Sequence, residues 1–148
     1  MNIHDTRKII LSYFETNCLF SQHTHGKILS FNGKTYQIRP DDAFYYPDNI
    51  LVIEYENNLR PVESISKYLW LFKKSNWVRE ALKINLLLTI NNQRIEKDYK
   101  IRTESIQILG DELKRQYPLM FNFCFINYSN LNEEKLIKEL HRITNQNR

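Results

Sequence analysis

The hydrophobic pattern of the chain begins with one face of a helix. Between about Ile3 and Leu19, most apolar residues recur at helical spacing, which predicts an amphipathic helix. The polar stretch over 21–26 then predicts a break. Beyond it, apolar runs flank Asn32-Gly33, and Asn-Gly between such runs is a strong hairpin signal. The pattern therefore predicts a helix followed by three successive antiparallel strands that end at Glu56.

The second half of the chain predicts helices and strands in alternation. Pro61 fits the first turn of a helix whose apolar stripe toward the sheet would be Val62, Ile65, Leu69 and Phe72. The remaining elements are a strand over 84–90, a helix from about 95 to 117, a strand over 119–128 and a last helix from Asn132 to about 143. This order predicts an α/β fold with a central mixed sheet flanked by helices.

The composition limits the class of protein. With 148 residues the chain has the length of one ordinary domain, and its 42% hydrophobic and 13% aromatic content excludes a disordered chain. The apolar runs are too short to span a bilayer and no signal-peptide core follows Met1, so we expect a cytoplasmic protein without a membrane partner. The net charge of +4 suits a polyanionic partner only weakly. Only three glycines are present, which excludes a glycine-rich phosphate loop.

Acidic residues interrupt a segment that otherwise predicts a buried hairpin. The runs on either side of residues 47–49 are aromatic and aliphatic, which favours two strands joined by a turn. A two-residue loop would place Asp41 opposite Glu54, whereas a three-residue loop would place Asp42 there. Both registers bring an aspartate beside Glu54.

Glu56 would add a third carboxylate, because side chains two apart on a strand point to the same face. Ile50 and Val52 precede the two glutamates on that face, so we expect it to be covered. Crowded, buried carboxylates repel one another unless a cation neutralises them. Oxygen ligands of this kind suit Mg²⁺, with Mn²⁺ as a substitute, and indicate phosphoryl-transfer chemistry. The simpler alternative leaves the aspartates at a frayed strand end and both glutamates on a solvated face.

The same residues resemble the motif of a known superfamily. Pro40-Asp41, twelve intervening residues and Glu54-Tyr55-Glu56 would lie on strands two and three. This pattern resembles the PD-(D/E)xK nucleases, which include many restriction endonucleases, over about residues 3–91. The resemblance implies a restriction-endonuclease-like αβββαβ core, followed here by a C-terminal strand and helix, in a single nuclease-like domain over 1–148. It also implies that Asp41 and Glu54 bridge the metal ions.

The position of the motif lysine is occupied by Glu56 in this chain. Some members of the superfamily hold glutamate there, and others recruit a lysine from the following helix, for which Lys67 is the candidate. Helical spacing also allows Lys67 to be a solvated residue paired with Glu63. The resemblance therefore implies catalytic roles for Glu56 and Lys67 beside the two metal-bridging residues, with Glu56 as a third metal ligand. Which of them fills the lysine position stays open.

Residues near the end of the second helix indicate the partner. Lys73 and Lys74 are candidates for contacts with DNA phosphates. Trp70 and Leu71 fall off the apolar stripe, so this surface is a candidate homodimer contact, which would suit cleavage of both strands of a duplex. Some members of the superfamily also use a glutamate of the first helix, for which Glu15 is the candidate.

These residues together predict a Mg²⁺-dependent DNA endonuclease, restriction-like or encoded by a mobile element. The alternative is a non-catalytic DNA-binding or assembly module that keeps the nuclease fold but lacks the motif lysine. RNA as the substrate ranks last, because the chain has no stacked-aromatic RNA-reading motif. His23 and His25 stand two apart in a polar segment, and we expect them to be exposed rather than metal-bound.

Overall fold

The fold is known from a computed structural model that describes residues 1–57, 61–75, 77–80, 82–91 and 99–146. Its helices are α1 (Ile3–Asn17), α2 (Pro61–Lys74), α3 (Tyr99–Gln116) and α4 (Glu133–Gln146), and a 3₁₀ turn spans Trp77–Glu80. Its strands are β1 (Gln22–His25), β2 (Leu29–Phe31), β3 (Lys34–Tyr36), β4 (Asp42–Tyr45), β5 (Asn49–Asn57), β6 (Lys83–Asn91) and β7 (Phe121–Asn127).

Five of these strands form one mixed sheet in the order β1-β4-β5-β6-β7. The neighbours β1, β4 and β5 are antiparallel, whereas β5, β6 and β7 run parallel. Parallel neighbours need a crossover connection, which contains α2 between β5 and β6 and α3 between β6 and β7. The predicted α/β class with a central mixed sheet and flanking helices is confirmed.

Helices cover both faces of the sheet, so the molecule has a core on each side. The first core joins α2 and α3 to alternate sheet positions and includes Tyr68, Leu71, Ile106, Val52 and Leu86. The second joins α1 and α4 to the other positions and includes Ile10, Tyr13, Leu140, Ile53 and Leu87. Burial on both faces explains why β6 is apolar at successive positions.

The strand β5 divides its side chains between these two cores as the sequence predicts. Ile50 and Val52 point to the α2–α3 side, and Ile53 and Tyr55 point to the α1–α4 side. The acidic positions of β5 follow the first set, so they lie beneath α2 rather than on a solvated face. The alternative of a solvated acidic face is therefore wrong for Glu54, which is buried.

The polar stretch that predicted a break contains a strand instead. Residues Gln22–His25 form β1, which pairs with β4 along its whole length at the edge of the main sheet. Edge strands tolerate polar side chains because backbone pairing on one side is enough to hold them. The Asn32-Gly33 hairpin is present, but its strands β2 and β3 form a separate two-stranded sheet. The prediction of only three strands before Pro61 is therefore wrong.

The helix α2 buries a different stripe from the one its sequence suggested. Leu69 is 39% exposed, whereas Leu71 is fully buried together with Tyr68. The prediction that Leu69 faces the sheet is therefore wrong, and so is the placement of Leu71 on a surface for a partner. The buried stripe includes the large Tyr68 ring, which packs near Phe121 on β7 with the ring centres 6.3 Å apart.

The third helix is described from Tyr99 to Gln116. Its described part starts at Tyr99, and the predicted start near residue 95 lies outside the described residues. The fourth helix is capped as predicted, since the side chain of Asn132 accepts a hydrogen bond from the backbone N–H of Lys135 at 2.9 Å. Among the described residues, no helix has the length and hydropathy to cross a membrane.

Candidate active site

The register of the β4–β5 hairpin places Asp41 opposite Glu54. The pairing runs from Tyr45 with Ile50 to Asp42 with Ile53, and the same register continued one residue beyond β4 sets Asp41 opposite Glu54. The loop is the shorter of the two alternatives, because the backbone N–H of Tyr46 donates to the carbonyl of Asn49 at 2.9 Å. The three-residue loop, which would have put Asp42 opposite Glu54, is therefore wrong.

The carboxylate of Asp41 is fixed by backbone groups. Its Oδ2 accepts a hydrogen bond from the backbone N–H of Tyr55 at 2.8 Å, directly beside Glu54 in the chain. Its carbonyl oxygen accepts from the N–H of Gly26 at 2.9 Å and lies 2.7 Å from Nδ1 of His25. Asp41 as a whole is only partly buried.

Glu54 is a buried carboxyl group under the start of α2. The residue is 1% exposed, and its Oε1 lies 3.0 Å from the hydroxyl of Tyr68 and 3.1 Å from Nζ of Lys67. Burial raises the pKa of Glu54 to about 7, and the charge of Asp41 adds to this rise while Lys67 opposes it. Near neutral pH this group therefore exists in both protonation states.

Lys67 reaches the acidic residues from α2. Its side chain is 38% exposed, so the aliphatic part covers Glu54 while the amine also faces solvent. The corrected stripe of α2 explains this, because Ser64 and Tyr68 are buried against the sheet and Lys67 lies one turn after Ser64, at the flank of the buried stripe. The structure thus brings Lys67 to Glu54. Helical spacing alone did not favour this position, because it also allowed Lys67 to be a solvated residue.

Glu56 lies on the same face as Glu54 but has its own partner. Its Oε1 accepts a hydrogen bond from the hydroxyl of Ser64 on α2. Within the described residues, no group of three or more histidine, cysteine, aspartate or glutamate side chains is arranged to hold a metal ion. The carboxylates that the hairpin register brings face to face are therefore a pair, Asp41 and Glu54, with Glu56 beside them on β5.

A second acidic centre, which the sequence analysis missed, surrounds Asp42. This residue is fully buried, and its two carboxylate oxygens accept a pair of hydrogen bonds from Arg7 on α1, both at 2.8 Å. The Nε2 of His23 lies 2.8 Å from Oδ1, and His25 lies 3.3 Å away. Burial disfavours the charge of Asp42, but the bonds from Arg7 and His23 outweigh it, so the pKa of Asp42 is lowered.

One signal for this centre was present in the sequence. His23 and His25 are separated by one residue, as expected for two side chains on one face of a strand. The prediction that both are simply exposed is wrong for His23, whose ring is half-buried and stacked on Phe44. Arg7 gave no local signal, because its contact with Asp42 joins positions 35 residues apart.

The remaining predicted residues lie outside this group. Lys73 and Lys74 are both exposed at the end of α2, and Nζ of Lys73 lies 5.9 Å from the centre of the Tyr117 ring. Glu15 is exposed on α1, the helix that packs on the opposite face of the sheet from Glu54. The structure therefore does not bring Glu15 to the carboxylate pair.

Comparison with known proteins places the chain in no family. No family model matches it. A segment of 47 residues is 38% identical to histidinol dehydrogenase of Buchnera aphidicola subsp. Schizaphis graminum, which is 32% of this chain and 11% of that enzyme. The chain thus spans about a tenth of the length of that protein.

One solved structure aligns with nearly the whole chain. It is the small subunit of the heterodimeric restriction endonuclease R.BspD6I, of which 99% is covered, with 12% identity and a TM-score of 0.32. The alignment covers 97% of this chain. Neither match gives the chain a family or an activity.

Proposed function

We propose that this chain is a Mg²⁺-dependent DNA endonuclease with a restriction-endonuclease-like core. One observation carries the proposal: Glu54 is buried opposite Asp41, and Lys67 completes the group at 3.1 Å. Burying a carboxyl group opposite another acid lowers the stability of the fold. Such a cost is therefore a sign that the arrangement has a function. A strongly shifted pKa near neutral pH at such a place is typical of functional sites.

The residues fit a magnesium ion by their chemistry. Mg²⁺ is usually held by one or two protein carboxylates, and it keeps water and substrate phosphate in its other positions. Asp41 and Glu54 supply that number, and Glu56 would join them as a third ligand only by giving up its hydrogen bond with Ser64. When bound, the ion would activate a water molecule and neutralise charge on the scissile phosphate. Mn²⁺ offers similar coordination and would substitute.

The chain's own groups have distinct tasks in the proposed reaction. The hydroxyl of Tyr68 holds the Glu54 carboxyl in one orientation, and the hydrogen bond from the Tyr55 N–H does the same for Asp41. The amine of Lys67 is a positive charge beside the site that stabilises the charge developing on phosphate oxygens. We therefore assign the role of the motif lysine to Lys67 rather than to Glu56, whose carboxylate carries the opposite charge.

The proposal includes the contacts that hold DNA. Lys73 and Lys74 are exposed on the helix that carries Lys67, so they are placed to contact phosphates away from the cleaved bond. A homodimer would bring two such sites to the two strands of a duplex. The exposed Trp70 remains our candidate for that contact or for a contact with the nucleic acid itself.

The experiment is incubation of the purified chain with supercoiled plasmid DNA and Mg²⁺. We expect nicked or linear product that a chelator abolishes and Mn²⁺ restores. The wild-type chain is compared with Glu54→Gln, which keeps the shape of the side chain, and with Lys135→Ala on α4 as a matched surface control. Absence of metal-dependent product from folded wild-type protein, or equal product from Glu54→Gln, would overturn the proposal.

One observation favours a second candidate, a DNA-binding or assembly module without catalysis. Lys67 already compensates the charge of Glu54 within the protein, and Glu56 is bonded to Ser64. A domain that has lost its metal would gain stability from such internal partners. Calorimetric titration with Mg²⁺ or Mn²⁺ separates the two candidates, because only the nuclease should bind the ion in a way that Glu54→Gln removes.

A further inference from the structure

An open groove lies between the last turn of α2 and the small hairpin. It has a volume of about 400 Å³. We call it the tryptophan groove, and its lining residues are Lys34, Thr35, Tyr36, Gln37, Trp70, Lys74 and Ser75. One wall is therefore the β3 end of the hairpin, and the other is the last turn of the helix that carries Lys67.

The helix connects this groove to the site. Lys67, Trp70 and Lys74 are spaced i, i+3 and i+7, which places all three along one side of α2. At 1.5 Å per residue, the axial distance from the first to the last is roughly 10 Å, a length that a few nucleotides can span. A strand that passes Lys67 can therefore continue past Trp70 to Lys74.

The two tryptophans of the chain differ in exposure. The side chain of Trp70 is 43% exposed at the groove, whereas Trp77 is 0% exposed and donates through its indole N–H to the carbonyl of Leu82 at 3.1 Å. An indole ring on an open wall beside positive charge is the arrangement on which unpaired bases stack. Trp77 has no such freedom, so the two tryptophans differ sharply in what can reach them.

The charges around the groove favour an anionic strand. Lys74 has no ion-pair partner among the described residues, so its charge is available to a ligand. Lys34 is 3.2 Å from Glu80, which also accepts a hydrogen bond from the hydroxyl of Tyr36. Lys73 points elsewhere, toward the Tyr117 ring. The groove thus offers an uncommitted cation next to an aromatic surface.

We infer that the tryptophan groove binds an unpaired segment of DNA, with a base stacked on Trp70 and the backbone held by Lys74. Sequence-tolerant binding of this kind needs only a π-face and a cation, and both are present. The inference rests on the proposed function for one point, that the same strand then reaches the carboxylate pair past Lys67. It makes the preferred substrate DNA that has single-stranded nucleotides next to the cleaved bond.

The test uses the intrinsic fluorescence of the full chain in a chelator, where no cleavage takes place. Oligo(dT) should quench the emission of Trp70 and leave that of buried Trp77. The affinity of each variant is then measured by the anisotropy of a labelled oligo(dT). We expect Trp70→Leu to weaken binding about ten-fold, since each stacked base contributes on this scale. Trp70→Phe keeps an aromatic face and should bind within about three-fold of wild type.

Two further variants control for general effects. Leu69→Ala changes the neighbouring exposed residue of α2 outside the groove lining and should bind like wild type. Lys74→Gln should weaken binding and make it less dependent on salt, because one phosphate contact is lost. Equal binding by Trp70→Leu and wild type, or no quenching by oligo(dT), would overturn the inference. Binding of oligo(rU) ten-fold tighter than oligo(dT) would overturn its assignment to DNA.

The outcome can be separated from that of the proposed function. If Trp70 controls oligo(dT) binding but the plasmid is never cut, the proposal of DNA binding in the groove is supported and the nuclease proposal fails. If the plasmid is cut while Trp70→Leu binds and cleaves normally, the nuclease proposal stands and the groove fails.

Discussion

Asp42 and Glu54 are buried carboxyl groups on the two strands of the β4–β5 hairpin, and their pKa values are shifted in opposite directions. Asp42 receives two bonds from Arg7 and one contact from His23, and its pKa is lowered. Glu54 has one lysine contact and one hydroxyl, faces Asp41, and has its pKa raised to about 7. Burial acts against the charge in both places, so the difference lies in the partners.

Under the proposed function, this contrast would separate a structural acid, Asp42, from a reactive one, Glu54. A guanidinium bound through two nitrogens neutralises a carboxylate and leaves it few free lone pairs. Glu54 keeps an oxygen that no described donor fills and a charge that is only partly compensated. Asp42 therefore fastens α1 to the sheet, whereas Glu54 is the residue that can exchange its lysine for a metal ion in the proposed reaction.

The largest effect is expected on DNA cleavage when Glu54 or its neighbour Asp41 is substituted. Glu54→Gln and Asp41→Asn keep the size of the side chains but remove the charge that would hold the cation. We expect each to lower the rate of plasmid cleavage by about a thousand-fold or more, as the loss of a metal site does. Initial rates of nicking measure this. Circular dichroism must show that each variant keeps its fold. A loss of cleavage rate below ten-fold would contradict the proposed role of these carboxylates.

The second effect is on stability and concerns the structural side. Arg7→Met leaves Asp42 buried without its main partner, so we expect the free energy of unfolding to fall by roughly 4 kcal/mol. Urea denaturation at pH 8 measures it. Lys67→Met is the matched comparison, and it should cost less because Glu54 can take up a proton instead. Equal losses from the two substitutions would show that the two acids are alike.

The third effect is the pH dependence of stability. The pKa of Glu54 is higher in the folded chain, about 7, than its ordinary value of 4.5. Its contribution to stability is therefore full below pH 4.5 and is lost as the pH rises to about 7. Because each unit of difference in pKa corresponds to about 1.36 kcal/mol, the free energy of unfolding should fall by roughly 3 kcal/mol over this pH range.

The variant Glu54→Gln isolates this contribution. It should lack the decline and should exceed wild type in stability above pH 7 when no metal is present. Urea denaturation of both proteins across pH 4 to 8 tests the expectation. Parallel curves for the two proteins would contradict it.

The smallest effect is expected from Lys67. Without its amine, charge on the phosphate is less well stabilised, and we expect cleavage to fall roughly ten- to a hundred-fold. Because Lys67 lowers the pKa of Glu54, Lys67→Met should also shift the pH profile of cleavage to higher pH. Lys67→Arg keeps the charge and should retain more activity than Lys67→Met. A profile unchanged in position would contradict the role of Lys67 beside Glu54.

Local patterns predicted the part of the molecule that carries the candidate site. Alternation along β5 gave the correct faces, and the turn at residues 47–49 limited the pairing to two registers, one of which is present. The ends of α2 follow from Pro61 and the final lysines. These features depend on residues near one another in the chain, so a local reading is enough for them.

Long-range contacts account for what the sequence did not reveal. The strand β1 has the composition of a loop, and only pairing with β4 makes it a strand. The same pairing carries His23 to Asp42, and the packing of α1 carries Arg7 there. The buried stripe of α2 includes the Tyr68 ring, which packs near Phe121, a residue far away in the sequence. Apart from the two-residue spacing of His23 and His25, none of these contacts leaves a periodic signal in its own segment.

The carboxyl carbon of Glu54 offers the most direct test of the central claim. Its chemical shift can be followed by NMR in ¹³C-labelled protein through a pH titration, first without metal and then with Mg²⁺. We predict a midpoint of about 7 without metal and a lower midpoint with Mg²⁺, because the ion competes with the proton for the same oxygens. An ordinary midpoint near 4.5, or a titration that Mg²⁺ leaves unchanged, would contradict the claim that Glu54 is the reactive acid of this fold.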